Sequence, residues 1–335
     1  MSKPASVVTI GNAIVDVLAH TDDRFLADNR LVKGSMNLID ADQAIALYAK
    51  MGPAIEISGG SAANTAAGIA SLGVPAAYIG KVCDDQMGRV FRHDITAAGV
   101  AFRSDPIIGE PPTARSFILI TPDAQRTMNT YLGACVLLST EDIDEPLITA
   151  AEVTYMEGYL WDRPSAQEAY RHAARTAHAA GRKVSLTLSD TFCVERHRDS
   201  FAELVAGHVD ILFANEEEAK ALYQTDSLDD TLALARADCE IAAITRSEKG
   251  AIILNATSTY EIAAEHVEDL VDTTGAGDLF AAGFLAGFVE DRHLADCGRM
   301  GALAAAEVIS HIGARPEENL EKLVDGRFQK PSISA

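Results

Sequence analysis

Short apolar runs separated by stretches of helical length constrain this chain of 335 residues more than any other feature. Val7–Ile10, closed by Gly11, is partly β-branched and too short for a helix, so it reads as a buried strand. Ala76–Ile79, Val153–Met156, Val184–Leu188, Ile211–Phe213 and Ala242–Thr245 repeat that pattern. Between them lie helical stretches such as Asn64–Leu72, Gln86–Ala98 (stopped by Gly99) and the alanine-rich Ser165–Ala180 (stopped by Gly181). Strands alternating with helices of about 10–15 residues form parallel βαβ units. The expected fold is α/β, an open, doubly wound and mostly parallel sheet with helices on both faces. Ligands of such sheets sit at the carboxyl ends of the strands.

Two segments break the rhythm. Val17–Asp40 is polar and irregular, and Ala101–Tyr131 carries Pro106, Pro111 and Pro112 among strand-like pieces, Thr113–Thr121 and Arg126–Leu132. Neither fits a βαβ crossover, so both are read as excursions that meet as a small lid. The large domain is then expected at residues 1–16, 41–100 and 132–335, and the lid at 17–40 and 101–131.

Charge narrows the partners. The chain carries 28 Lys and Arg against 49 Asp and Glu, a net charge of −21. Such a field repels a nucleic-acid backbone, so no nucleic-acid partner is expected. Five cysteines, at 83, 135, 193, 239 and 297, form no CxxC pair and are odd in number, which points to a reducing, cytoplasmic setting. The N-terminus lacks the apolar core of a signal peptide. The longest apolar stretch, Leu279–Val289, falls short of the roughly 20 residues of a membrane helix, so no membrane partner is expected. Gly283 and Gly287 within it read as a site of close helix packing. Asn255-Ala-Thr257 is a glycosylation sequon by pattern, expected to be inert without secretion.

Four motifs carry chemistry. Asp272-Thr273-Thr274-Gly275-Ala276-Gly277-Asp278 precedes an apolar helix. The first N–H groups of a helix have no partner within it and, with the dipole, suit a phosphate. Asp278, in that first turn, is either a helix-end charge or a base for an attacking hydroxyl. Ser58-Gly59-Gly60-Ser61, followed by Asn64, is either a capped helix start or a tight hinge against a ligand, with Asn64 offering an amide. Gly11-Asn12, followed by Asp16, lies past the first strand, where Asp16 is a turn residue or a carboxylate accepting from two vicinal hydroxyls. Asn215-Glu216-Glu217-Glu218 follows Ile211–Phe213 and is either an acidic first turn or a holder of magnesium-bound waters. A P-loop is absent, so a phosphotransferase here needs another phosphate cradle.

Taken in order, these motifs resemble the ribokinase-like, phosphofructokinase-B-type family of carbohydrate and nucleoside kinases, from Val7 to about Pro316. The resemblance implies a three-layer α/β/α domain with a lid and transfer of the γ-phosphoryl of ATP to a hydroxymethyl group. Asp278 would be the general base, and the N–H groups of Gly275, Ala276 and Gly277 the anion hole. Glu218 and Asn215 would order Mg2+ through its waters, and Asn12, Asp16, Gly59, Gly60, Ser61 and Asn64 would line the sugar site. Thr273, Thr274, Thr245, Ser247 and Gly250 would flank the nucleotide, with Ser247 standing where the family usually has glycine.

Within the family the sequence is most similar to the adenosine-phosphorylating group. Pro112-Thr113 through Arg126 to Ala134 resembles that group's lid and base wall, with Arg126 on the transferred phosphate. Leu38, Leu132, Ala134 and Tyr159 would wall a flat base, or else be ordinary core. Met36 and Tyr159-Leu160 depart from residues some members carry, which leaves the base open. Some relatives hold potassium on backbone carbonyls, here those of Ser310–Gly313 beside Arg315. The expected acceptor is a purine nucleoside at its 5′-hydroxyl, adenosine first. The alternatives are a sugar (ribose, fructose or a ketodeoxy sugar acid) and a non-catalytic nucleoside binder, and the assembly is a monomer or homodimer.

Overall fold

The computed structural model describes residues 5–123 and 125–328. Its strands are β1 (Val7–Ile10), β2 (Ile14–His20), β3 (Met36–Leu38), β4 (Ile55–Gly59), β5 (Ala76–Ile79), β6 (Ala101–Phe102), β7 (Ala114–Ile120), β8 (Arg126–Tyr131), β9 (Val153–Glu157), β10 (Lys183–Thr187), β11 (Ile211–Asn215), β12 (Ile241–Thr245), β13 (Ala251–Asn255) and β14 (Thr259–Ile262). Its helices are α1 (Asp23–Asp28), α2 (Ala41–Tyr48), α3 (Ser61–Ser71), α4 (Gln86–Ala97), α5 (Glu145–Ala150), α6 (Pro164–Ala179), α7 (Thr191–His208), α8 (Glu216–Tyr223), α9 (Leu228–Asp238), α10 (Ala276–Val289), α11 (Leu294–Val308) and α12 (Leu320–Asp325).

A large sheet runs β14-β13-β12-β11-β10-β9-β1-β5-β6. It is parallel from β12 to β6, and only β13 and β14 pair antiparallel. The doubly wound α/β sheet read from the alternation is therefore present. Its strands read as unbroken apolar runs because both faces are covered. Along β1, Val7 packs with Tyr155, Phe213 and the residues of α3 and α10, while Val8 and Ile10 turn to the opposite core with Met156, Leu186 and α6.

A second sheet, β3-β8-β7-β2-β4, the lid sheet, gathers most of the segments read as a lid. Its strands reach beyond 17–40 and 101–131. Ile14–His20 and Ile55–Gly59 belong to it, whereas Ala101–Phe102 pairs with β5 in the large sheet. The reason is physical: β2 alternates between buried and half-buried residues, and such a strand looks irregular beside the all-buried strands of the main sheet.

Helix α10 is buried over almost its whole length, and small residues set its neighbours' distance. A Cβ at Gly283 would lie 2.4 Å from the Met300 carbonyl oxygen of α11, and one at Gly68 of α3 would lie 2.6 Å from Leu279. The Gly283/Gly287 pair is thus a helix-packing device. The Gly283→Ala variant is expected to lose about 1–3 kcal/mol, because backbone cannot yield as a side-chain tip can. A denaturant midpoint equal to wild type would contradict this close approach.

Candidate active site

The carboxyl ends of β1 and β9 meet at one buried acid. Glu157, the last residue of β9, is fully buried and accepts three hydrogen bonds. Its Oε1 takes the Asn12 N–H and the Asn12 Nδ2, both at 2.8 Å, and its Oε2 takes the Ala62 N–H at 2.7 Å. Burial pushes its pKa up to about 7 despite these bonds. Gly11 is required beside it, since a Cβ there would lie 2.3 Å from Oε2. Sequence reasoning missed Glu157. Its only signal is a lone acid closing the apolar run Val153–Met156.

Helix α3 starts from this anchor and faces α10. Ser61 Oγ donates to Asp278 Oδ1 at 2.6 Å, and Asn64 Nδ2 donates to Asp278 Oδ2 at 3.0 Å. Both were expected on the sugar; the structure also brings their side chains onto the candidate base. Asp278 is half-buried, and burial raises its pKa against those two bonds and Arg315. The Oδ1 atoms of Asn12 and Asn64 are buried without a partner, so the site holds two acceptors ready for hydroxyls.

Asp16 projects from β2 beside the two glycines. A Cβ at Gly59 would lie 2.2 Å from its Oδ2, and one at Gly60, whose φ of 95° suits glycine, would lie 2.1 Å from the Asn12 carbonyl oxygen. Burial raises the Asp16 pKa to about 7, with Arg126 and Arg315 opposing and Asp278 adding. Strand register sets its neighbours. Ile57, Asp16, Ser116, Thr130 and Leu38 form one row across the lid, on one face of the sheet. Ser116 Oγ and Thr130 Oγ1 are 2.8 Å apart within it. Leu38 is 57% exposed, and Leu132 and Tyr159 are partly open. Ala134 is not open: it is fully buried, its N–H on the Pro112 carbonyl, so it is core and not wall.

At the start of α10, Gly275 is the left-handed N-cap, with φ 82°, packed on Ala314. The expected trio of N–H donors is altered. Ala276 N–H bonds the Thr273 carbonyl at 3.2 Å, whereas those of Gly277 and Asp278 have no protein acceptor among the described residues. Arg126 reaches this turn from β8, its Nη1 on the Asp272 carboxylate and 2.7 Å from Thr274 Oγ1. Burial would raise the Asp272 pKa, but Arg126 and the N–H groups of Gly313 and Thr274 outweigh it and hold it low. The corner expected for a potassium ion thus presents a carboxylate already neutralised by Arg126 and bonded by Gly313 N–H at 2.9 Å.

On the nucleotide side, Asn215 and Glu218 form a reciprocal cap at the head of α8. Both Glu218 oxygens accept from Asn215, at 2.9 and 2.7 Å, and burial raises the Glu218 pKa to about 7. The Tyr159 phenol is raised by burial and then by Asp190, Asp278 and Glu218, so it stands among these acids. Thr245 ends β12 beside Asn215. Ser247 holds φ 50°, the left-handed conformation glycine would take there. Gly250 is needed for close approach, since a Cβ would lie 1.9 Å from the Ile262 carbonyl oxygen. Among the described residues no cluster of three His, Cys, Asp or Glu forms a metal cage.

Two outcomes follow. The Asp16 pKa rises from the usual range of about 4 in the unfolded chain to about 7 in the fold. Its contribution to stability is therefore full below pH about 4 and is lost as pH rises through about 7. Asp16→Asn should raise the thermal midpoint of the ligand-free protein at pH 8 and do so less at pH 5.5; an equal shift at both would contradict the assignment. Glu157→Gln turns one acceptor into a donor facing N–H groups, and should destabilise by about 1–3 kcal/mol, read as a denaturant midpoint.

Comparison with known proteins places this geometry. The pfkB family carbohydrate kinase model matches residues 54–320. An ATP-dependent ribose-1-phosphate kinase of Halopiger xanaduensis is 35% identical over 257 residues, 74% of this chain and 80% of that protein. Two solved structures cover 97% of this chain and 99% of their own. A probable sugar kinase from Rhizobium etli is 52% identical with a TM-score of 0.90. An adenosine kinase from Sinorhizobium meliloti is 54% identical with a TM-score of 0.89. With a ribokinase-like fold and that match over most of its length, the chain is a kinase and belongs to the pfkB family of carbohydrate kinases.

Proposed function

We propose that this kinase transfers the γ-phosphoryl of ATP to the 5′-hydroxyl of a neutral purine nucleoside, adenosine first. One observation carries the choice of acceptor: the row through Asp16 runs from a carboxylate through two hydroxyls to exposed Leu38. A carboxylate suits a vicinal diol, and an apolar end suits a flat base. The adjacent rows of the same lid face hold Met36, Met128 and Ile118, then Arg126, Ile120 and His20. Arg126 there is already engaged by Asp272. A sugar acid or sugar phosphate would call for a cation free at the apolar end. The likeness to an adenosine kinase over 97% of the chain supports the same reading.

In the mechanism that follows, the 5′-hydroxyl sits against Asp278, whose raised pKa suits a proton acceptor. Ser61 and Asn64 fix both of its oxygens, which orients the lone pair that takes the proton. The free N–H groups of Gly277 and Asp278, with the α10 dipole, meet the charge on the γ-phosphoryl. Arg126 stands at the same turn, and exchanging Asp272 for phosphate oxygens adds to that stabilisation. Thr245 and the exposed Ser247 loop flank the nucleotide. A water-held Mg2+ fits the donor set better than an all-protein cage, and Glu218, with Asn215, would hold its waters. When bound, the ion supplies positive charge to the nucleotide phosphates. No step is assigned to potassium.

The second reading is a sugar acceptor, favoured by the 35% identity to a ribose-1-phosphate kinase. ADP release with adenosine, inosine, guanosine, ribose, fructose and ribose 1-phosphate separates the two. Nucleosides should be turned over and free sugars should not; turnover of a sugar with no nucleoside active overturns the proposal. Asp278→Asn should lower turnover by about 10²–10⁴-fold with nucleoside binding kept, as calorimetry would show.

A further inference from the structure

We propose that Arg315 is a positioning residue for this phosphotransfer, bracketing the loop that presents Ser61 to Asp278 and serving as the permanent counter-charge of Asp16 and Asp278. The proposal rests on the reading of the site as a kinase centre with Asp278 as base.

The observations are geometric. Arg315 lies on the loop after α11, beside the carbonyls expected to form a potassium corner. Its guanidinium makes four hydrogen bonds. Nε and Nη2 donate to the Ser58 carbonyl at 3.1 and 2.9 Å, Nη2 also to Ser58 Oγ at 2.9 Å, and Nη1 to the Ala63 carbonyl at 2.9 Å. Ser58 and Ala63 stand on either side of Gly59, Gly60, Ser61 and Ala62. One rigid fork therefore spans the segment that lies against Asp16, Asn12 and Asp278. Ser58 is held from behind as well, its N–H and Oγ on Asp94 Oδ2 of α4 at 2.8 and 2.5 Å.

All three acceptor atoms of Arg315 are neutral. Among the described residues no carboxylate pairs with it directly, although a buried cation is costly without a counter-charge. The titratable groups that face it are Asp94 from α4, Asp16 from β2, Asp278 from α10 and Tyr78 from β5. Asp278 in turn faces Ser61 and Asn64 from α3, and its charge is felt by Asp16, by Glu157 and Tyr155 on β9, and by Tyr159 beyond it. Arg126 is the other cation acting on Asp16, but it belongs to the lid and is bound to Asp272. Arg315 belongs to the large domain and has no such engagement. It is thus the cation that acts on both neighbouring carboxylates without being bound to any carboxylate among the described residues.

The test is the pH profile of kcat/KM for ATP and adenosine. In Arg315→Gln the acid limb should move up by about one pH unit, since an opposite charge has been removed. Arg315→Lys keeps the charge but loses the fork, so its limb should stay where wild type has it while the adenosine KM rises about tenfold. A merely structural role would lower the thermal midpoint and leave the limb in place. A folded glutamine variant with the wild-type limb overturns the counter-charge. A folded lysine variant with wild-type KM and kcat overturns the bracketing, and this arm stands even if the glutamine variant does not fold. Wild-type protein that forms no ADP with any nucleoside or sugar overturns the underlying reading instead.

Discussion

One buried carboxylate holds the working parts of this enzyme in register. Glu157 receives an N–H from the end of β1, an N–H from the start of α3 and the amide of Asn12, all within 2.8 Å. The unpaired alternative is severe, because a buried backbone N–H without an acceptor loses its water and gains nothing. Those bonds therefore fix the first turn of α3 relative to the main sheet. Ser61 and Asn64 ride on that turn, and they in turn hold both oxygens of Asp278. The path from β9 to Asp278 is two hydrogen-bonded steps long, and each step is specified by geometry rather than by bulk hydrophobicity.

This arrangement crowds acids. Asp16 and Glu157 are pushed to about 7, and Asp278 is raised with them. A chain of net charge −21 binding a nucleotide would seem to compound the repulsion. The remedy is local. Arg126, the N–H groups at the head of α10 and its dipole meet at one turn, while remote carboxylates are screened over a Debye length of roughly 8–10 Å. In the proposed reading, phosphate meets the positive end of α10 although the protein as a whole is acidic.

How much of this was legible in the sequence follows from what each residue has to do. The central strands were readable because burial on both faces leaves an unbroken apolar run, as in Val7–Ile10. Asp272–Asp278 was readable because glycines before an apolar helix have few other uses. The lid was only half readable. Residues 113–121 and 126–132 look like strands, but β2 alternates and β4 is open at its first residues, and both were hidden in segments read as irregular or as part of the large domain. Glu157 and Arg315 were not readable as functional residues, because their partners are mostly backbone atoms, which leave no residue type to match. The same holds for Ala276, whose N–H goes to a turn that only the fold defines. Ser247 is the opposite case, where an unexpected residue keeps the backbone angle of the expected one.

The site's own incompleteness ties stability to function. Asn12 and Asn64 each leave Oδ1 buried and unpartnered, and Asp16 is held in a place where ionisation is disfavoured. A hydrophobic core would remove such groups, since each costs free energy in the ligand-free state. They persist here beside glycines that admit no side chain, Gly59 against Asp16 and Gly60 against Asn12. A molecule that brings several hydroxyls to this spot satisfies the orphan acceptors and stabilises the Asp16 anion together. A single hydroxyl would satisfy only one of them. In the proposed reading the arrangement favours a polyhydroxylated ring before any contact with a base is made, and the row from Ser116 to Leu38 is left to decide what that ring carries.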